Sequence, residues 1–161
     1  MVQLTARRLE REETAAAYAL VRSAAPGVTL DQWTGFAGRL AGQGGGVIGV
    51  DAAGGPLIGI AAYRTDLSLV HGRLLRVELL AAFELRRSAP VRTALLEALE
   101  VAAREAGCSA IGLALNAQGA AMPAPGRIET WQALGYRAGP LQLVRDLPRD
   151  ADDRPRAACA A

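Results

Sequence analysis

The sequence predicts an α+β domain built on a mixed, mostly antiparallel sheet. Three observations carry that reading. Strand-like runs follow one another in the middle of the chain with only short turns between them, and short turns join antiparallel neighbours. A strand, a turn, a long helix and another strand then run from Leu74 to Asn116, which is a βαβ unit and therefore a parallel pair. Helical segments precede the strand runs rather than alternating with them, which places the chain among layered α+β folds.

Taken in order, Val2 to Leu9 alternates apolar and polar residues and predicts a first strand. Arg11 to Ala24 is alanine-rich, with Ala17, Leu20, Val21 and Ala24 at helical spacing, and Pro26-Gly27 ends it. Thr29 or Asp31 caps a second helix with Trp33, Phe36, Ala37 and Leu40 on one face. G-Q-G-G-G at Gly42 to Gly46 breaks the chain before the strands Gly46 to Ala52, Leu57 to Val70 and Leu74 to Phe83. Val91 to Ala106 is the long helix, with Leu95, Leu96, Leu99, Ala102, Ala103 and Ala106 as its buried side, and Gly107 ends it. Ser109 to Asn116 is the next strand. A loop over Ala117 to Gly126, a short helix over Arg127 to Leu134 and a last strand over Tyr136 to Leu147 follow. The predicted order is β-α-α-β-β-β-α-β-α-β. We expect a single domain over 1–147 and a disordered tail over 148–161, opened by Pro148.

Composition narrows the class. With 51% hydrophobic and 21% charged residues, the 161-residue chain can bury one core. Aromatics are only 4%, so aliphatic side chains and alanine must fill it. All 18 basic residues are arginine, which together with the alanine content points to a GC-rich bacterial coding bias. A net charge of +2 gives no argument for nucleic acid. Cys108 and Cys159 make neither a metal framework nor a disulfide pattern, so no metal is expected. The N-terminus has no apolar signal region and no apolar run reaches the ~18 residues of a membrane span, so a cytoplasmic protein without a membrane partner is expected.

Several residues stand out chemically. Glu78 is an acid in mid-strand, where alternation places it on the face of Arg76 and Leu80. It is either a general base or one side of a salt bridge with Arg76 or another arginine. The helix start after Glu84 is a natural anion site, with Arg86, Arg87 and Arg92 as phosphate partners, or else a capped start with Ser88 or Ala89 as cap and Pro90 in the first turn. His71 is the one histidine, lies in a tight turn, and has no G-x-S-x-G elbow to work with.

The element order resembles that of the GNAT superfamily of N-acetyltransferases, and two local patterns support it. R-S-A-P-V-R-T-A-L-L, Arg87 to Leu96, is similar to the R/Q-x-x-G-x-G/A start of that family's central helix. T-W-Q-A-L-G-Y, Thr130 to Tyr136, is similar to its F-Y-x-x-x-G-F. The strand ending in Asn116 matches a strand–Asn boundary of the family. The likeness covers about Val2 to Leu147. Pro90 and Arg92 replace both motif glycines, so the phosphate loop is degenerate. Trp131 takes the usual tyrosine position, and the gap from Asn116 to Trp131 is longer than usual.

The resemblance implies an N-acetyltransferase that moves acetyl from acetyl-CoA to a primary amine of a small molecule or protein by direct attack. Glu78 would be its base. Acetyl-CoA would be held by the backbone of Ala81, Ala82 and Phe83 at the thioester arm, by Arg87, Ser88, Ala89, Val91, Arg92 and Thr93 at the pyrophosphate, and by Asn116. The alternative is a catalytically impaired CoA-binding or protein-interaction module. A homodimer through exposed strands stays open.

Overall fold

The structure is a computed structural model that describes residues 3–84, 89–113, 128–133 and 135–136. Contacts divide the chain into two units, Met1–Arg127 and Ile128–Ala161. The first contains β1 (Leu4–Arg8), a 3-10 helix (Arg11–Ala17) that runs into α1 (Tyr18–Ala24), and α2 (Leu30–Leu40), which ends in a 3-10 turn (Ala41–Gln43). It continues with β2 (Gly46–Ala52), β3 (Leu57–Ser68), β4 (Gly72–Ala82), α3 (Pro90–Glu105) and β5 (Ala110–Leu113). The five strands form one sheet in chain order. The pairs β1/β2, β2/β3 and β3/β4 are antiparallel and β4/β5 is parallel. This is the predicted mixed, mostly antiparallel sheet. The last predicted strand, the tail and the loop after Asn116 lie outside the described residues.

The helices cover the two faces of the sheet. On one face Trp33, Ala37 and Leu40 of α2 and Val21 of α1 pack with Leu9, Val47, Ile60, Ala62 and Ala81 in one buried cluster. The Trp33 indole N–H donates to the Thr14 carbonyl at 2.7 Å, which fixes α2 to the 3-10 helix and satisfies the one polar atom of a buried ring. Thr29 is the cap of α2. Its hydroxyl accepts from the Gln32 N–H at 3.2 Å, while the Gln32 side chain accepts from the Thr29 N–H at 2.9 Å.

On the other face lies α3, which touches all five strands. Val91, Leu95, Leu96, Leu99 and Ala103 are its buried side, whereas Ala102 and Ala106 are only partly covered. Close approach at Gly59 makes this packing possible: a Cβ there would sit 2.5 Å from Val91 Cγ1. The helix ends in a Schellman turn at Gly107, whose φ of 66° suits glycine, with the Cys108 N–H on the Ala103 carbonyl at 2.8 Å. The hairpin joining β3 to β4 carries His71, whose N–H donates to Ser68 Oγ at 3.2 Å. Its neighbours Leu69 and Val70, predicted as strand, are exposed turn residues.

The second unit contributes α4 (Ile128–Ala133). It is closed by the Tyr136 N–H on the Trp131 carbonyl at 2.9 Å, and the two rings meet edge to face at 5.5 Å. Among the described residues no helix is long and apolar enough to cross a membrane.

Two stability predictions follow from the caps and ion pairs. Thr29→Ala removes a capping box and should cost about 1 kcal/mol in urea unfolding. Glu13 bridges to Arg7 at 2.7 Å, and this hydrogen bond, with that from the Glu10 backbone, lowers its carboxyl from 4.5 to about 2. A lowered carboxylate contributes stability that is complete above pH 4.5 and lost as pH falls through about 2. Glu13→Gln should therefore flatten the acid limb of the melting temperature in that window; an unchanged limb would contradict the assignment.

Candidate active site

The site is assembled around β4. Its register against β3 slips by one residue: Ala62 faces Leu79, but Tyr63 faces Val77. Glu78 is the extra residue of a β-bulge, a device that re-aims a side chain. Leu79 and Ala81 join the α1/α2 side of the core, and Glu78 turns to that same side, lining a cavity with Phe36 and Leu40 of α2. The bulge keeps Glu78 with Arg76 but separates it from Leu80, which unbroken alternation would have placed on its face. The bulge also falls where the described parallel pairing ends, at Val77 opposite Leu113.

Glu78 is in an ion pair, and its partner is Arg64 of β3, not Arg76. Its Oε1 accepts from Arg64 Nε at 2.8 Å. Arg64 in turn lies 3.7 Å from Asp66, whose Oδ2 accepts from Arg76 Nε at 3.1 Å. The Glu78 hydrogen bond raises the Arg64 guanidinium above its usual value. The Leu67 N–H, followed by Arg76, lowers the Asp66 carboxyl. All four side chains are 28–34% exposed, so solvent screens them and the pairs add little stability. Their effect is to orient. Glu78 Oε2 has no hydrogen-bond partner among the described residues. The cavity beside it encloses about 330 Å³ and is completed by Arg39 and Gln43.

Beyond the bulge, one edge of β4 is unpaired among the described residues. The Phe83 N–H donates to the Ile58 carbonyl at 2.7 Å. With Ile60 opposite Ala81, antiparallel alternation turns the backbone groups of Ala81 and Phe83 toward β3 and those of Leu80 and Ala82 the other way. Among the described residues no strand pairs with Leu80 or Ala82 on that side. Of the three residues predicted at the thioester arm, Ala82 alone presents its amide and carbonyl there. Ala81 is fully buried, and Phe83 is 59% exposed.

The start of α3 differs from an open anion site. Ala89 is the N-cap, held at φ 49°, with no side-chain cap bond. Pro90 has no N–H. The Arg92 N–H donates at 2.7 Å to Glu84 Oε1, so a carboxylate from the end of β4 caps the helix. The other oxygen, Glu84 Oε2, is buried without a hydrogen-bond partner among the described residues. The Thr93 N–H and hydroxyl both donate to the Ala89 carbonyl at 3.1 Å. The Val91 side chain is packed against Gly59. Arg87, Ser88 and Asn116 lie outside the described residues.

The structure thus gathers Glu78 and the open edge of Ala82 on one strand and Ala89, Val91, Arg92 and Thr93 at one helix start. Sequence reasoning missed Arg64 and Glu84. Arg64 pairs across a strand register that the bulge alone decides. Glu84 had a weak signal, an acid at a strand end just before a helix whose first residue lacks an N–H. No group of three or more potential metal ligands occurs among the described residues.

The sequence matches no protein-family profile and no curated protein. The fold has relatives among solved structures. An acetyltransferase from Trypanosoma brucei is similar over 90% of this chain and 100% of its own, with 20% identity and a TM-score of 0.68. The aminoglycoside N-acetyltransferase AAC(6')-Iy, solved in complex with CoA, is similar over 91% of this chain and 96% of its own, with 16% identity and a TM-score of 0.73. Glucosamine-6-phosphate N-acetyltransferase from Arabidopsis thaliana is similar over 91% and 99%, with 12% identity and a TM-score of 0.67. At these identities the likeness is one of fold, and the chain has the α+β fold of the GNAT acetyltransferases.

Proposed function

We propose that the protein is an N-acetyltransferase that transfers acetyl from acetyl-CoA to a primary amine by direct attack. The observation that carries this reading is the position of Glu78. Its carboxylate stands at the bulge of β4, in a solvent-reached cavity, on the same strand as Ala82, whose outward amide and carbonyl no described strand pairs. The GNAT fold supports it, because AAC(6')-Iy, which shares that fold, was solved with CoA.

In this reading the amine nitrogen attacks the thioester carbonyl. A C–N bond forms, the C–S bond breaks, and CoA leaves as a thiolate. The proton lost by the amine goes to Glu78 Oε2, directly or through water. Arg64 fixes the carboxylate by holding Oε1, which leaves the second oxygen as acceptor. The backbone of Ala82 and Leu80 takes the pantetheine arm by strand-like hydrogen bonds, with Ala81 and Phe83 holding the strand to β3. Arg87, Ser88 and Asn116 remain proposed contacts of the donor, and Ala89, Val91, Arg92 and Thr93 form the wall at the helix start. The thiolate leaves unassisted or takes its proton from water. The acceptor enters from the α2 side, past Phe36 and Arg39.

A catalytically impaired CoA-binding or protein-interaction module is the second reading. The capping of the Arg92 N–H by Glu84 favours its protein-interaction form, since that carboxylate stands at the helix start where a phosphate would otherwise be attracted.

The two readings separate experimentally. Acetyl-CoA at millimolar concentration should raise the melting temperature; no shift would remove the enzyme and the CoA-binding module and leave only the protein-interaction module. Glu78→Gln keeps the side chain's shape and one acceptor for Arg64. It should lower turnover about 10²- to 10⁴-fold over a panel of amines, with the donor's thermal shift intact. Equal turnover in wild type and variant would take Glu78 out of the chemistry, and a thermal shift with no turnover of any amine by wild type would leave the module.

A further inference from the structure

We propose that Glu84 sets the donor preference of this site, favouring the pantetheine part of a thioester and rejecting its diphosphate. The inference rests on the reading of the β4 edge as the seat of the donor arm, and it goes beyond it in assigning a residue that discriminates between donors.

A helix start attracts anions through its unpaired N–H groups and its positive dipole end. Here the first position, Pro90, has no N–H. The third, Arg92, already donates at 2.7 Å to Glu84 Oε1. The fourth, Thr93, donates at 3.1 Å to the Ala89 carbonyl, closing the first turn. A carboxylate is chemically a stand-in for a phosphate at such a place: a planar or tetrahedral anion accepts the same N–H and the same dipole. Glu84 comes from the residue pair Phe83-Glu84 that ends β4, and Phe83 is tied to β3 through its N–H on Ile58, so the chain anchors the carboxylate from both ends of the contact.

The second oxygen makes the case specific. Glu84 Oε2 is buried and finds no hydrogen-bond partner among the described residues. A buried carboxylate oxygen without a partner is costly unless something else offsets it, and the dipole of the sixteen-residue α3 is the offset at hand. A diphosphate brought to the same place would meet this oxygen, with the Arg92 and Thr93 amides already engaged and Pro90 offering none. It would have to displace Glu84 or share the dipole with a like charge. No such conflict arises for the pantetheine arm, because it uses the amide and carbonyl edge of Leu80 and Ala82, on the other side of the Phe83 anchor.

Calorimetric titration of the full chain with acetyl-CoA, acetyl-pantetheine and inorganic pyrophosphate tests this, with wild type, Glu84→Gln and Glu84→Ala compared. Glutamine keeps an acceptor for the Arg92 N–H and so keeps the cap, which circular dichroism and melting would verify; alanine removes both charge and cap. Wild type should bind acetyl-CoA and acetyl-pantetheine within about threefold of each other. Glu84→Gln should tighten acetyl-CoA about tenfold, leave acetyl-pantetheine unchanged, and bind pyrophosphate that wild type does not. Wild-type preference for acetyl-CoA of tenfold or more, unmoved by Glu84→Gln, would overturn the proposal while leaving the donor reading intact. Pyrophosphate bound equally well by wild type and both variants, or by none of them, would overturn it too. Failure of every protein to bind either thioester would reject the donor reading; pyrophosphate taken up by Glu84→Gln and not by wild type would then still support the exclusion by Glu84.

Discussion

The hydrogen-bonded pairing of β3 with β4 is the constraint on which the rest depends. It spans Gly59 to Ser68 against Gly72 to Ala82 and contains one slip. Before the slip, side chains alternate in one phase and β4 also pairs with β5. After it, the phase changes and the described pairing with β5 has ended. Among the described residues β4 then has one neighbour, and its second row of amides and carbonyls has no strand partner. One extra residue thus sets Glu78 toward the α2 layer and falls where the described parallel ladder stops, and past it the amide and carbonyl of Ala82 turn away from β3.

The layers on either side stabilise this arrangement differently. Toward α1 and α2 the sheet is buried where aliphatic residues and Trp33 meet, and it becomes polar where Arg64, Asp66, Arg76 and Glu78 lie. Ion pairs that are about a third exposed add little to stability. Hydrophobic burial holds the fold and the charges fix side-chain directions. Toward α3, small residues let helix and sheet approach, as Gly59 does under Val91. That close packing commits the Val91 side chain to the core, while Pro90 offers no N–H and the Arg92 and Thr93 amides are already bonded. A carboxylate from the neighbouring strand end completes it. The same helix start that attracts an anion is thereby supplied with one from within the chain.

The middle of β4 and its exit pull the functional reading in different directions. At the bulge, a carboxylate with one oxygen held and one open suits proton transfer. At the strand end, a carboxylate on the helix amide opposes a phosphate. Both acids belong to the same strand and its exit, and both are oriented by partners far away in sequence. Arg64 lies 14 residues from Glu78, and Arg92 lies 8 residues from Glu84.

Local sequence determined the elements. Alternation and turn residues placed β2 at Gly46–Ala52, where it is found. Helical spacing identified the buried leucines of α3, and Thr29 and Gly107 marked ends that they do cap. The order of elements implied a mixed, mostly antiparallel sheet and the family resemblance, both matched by the fold. These are short-range effects of periodicity, capping and backbone freedom. Tertiary structure alone decided which oxygen meets which donor. Nothing in the run from Leu74 to Phe83 announces that Glu78 is a bulge, because a bulge is a relation between two strands. Nothing in E-L-R-R-S-A-P announces that Glu84 turns onto the Arg92 amide, because that contact needs β4 and α3 in place first. The residue types were readable from the chain, but their partners required packing, which brings distant segments within 3 Å.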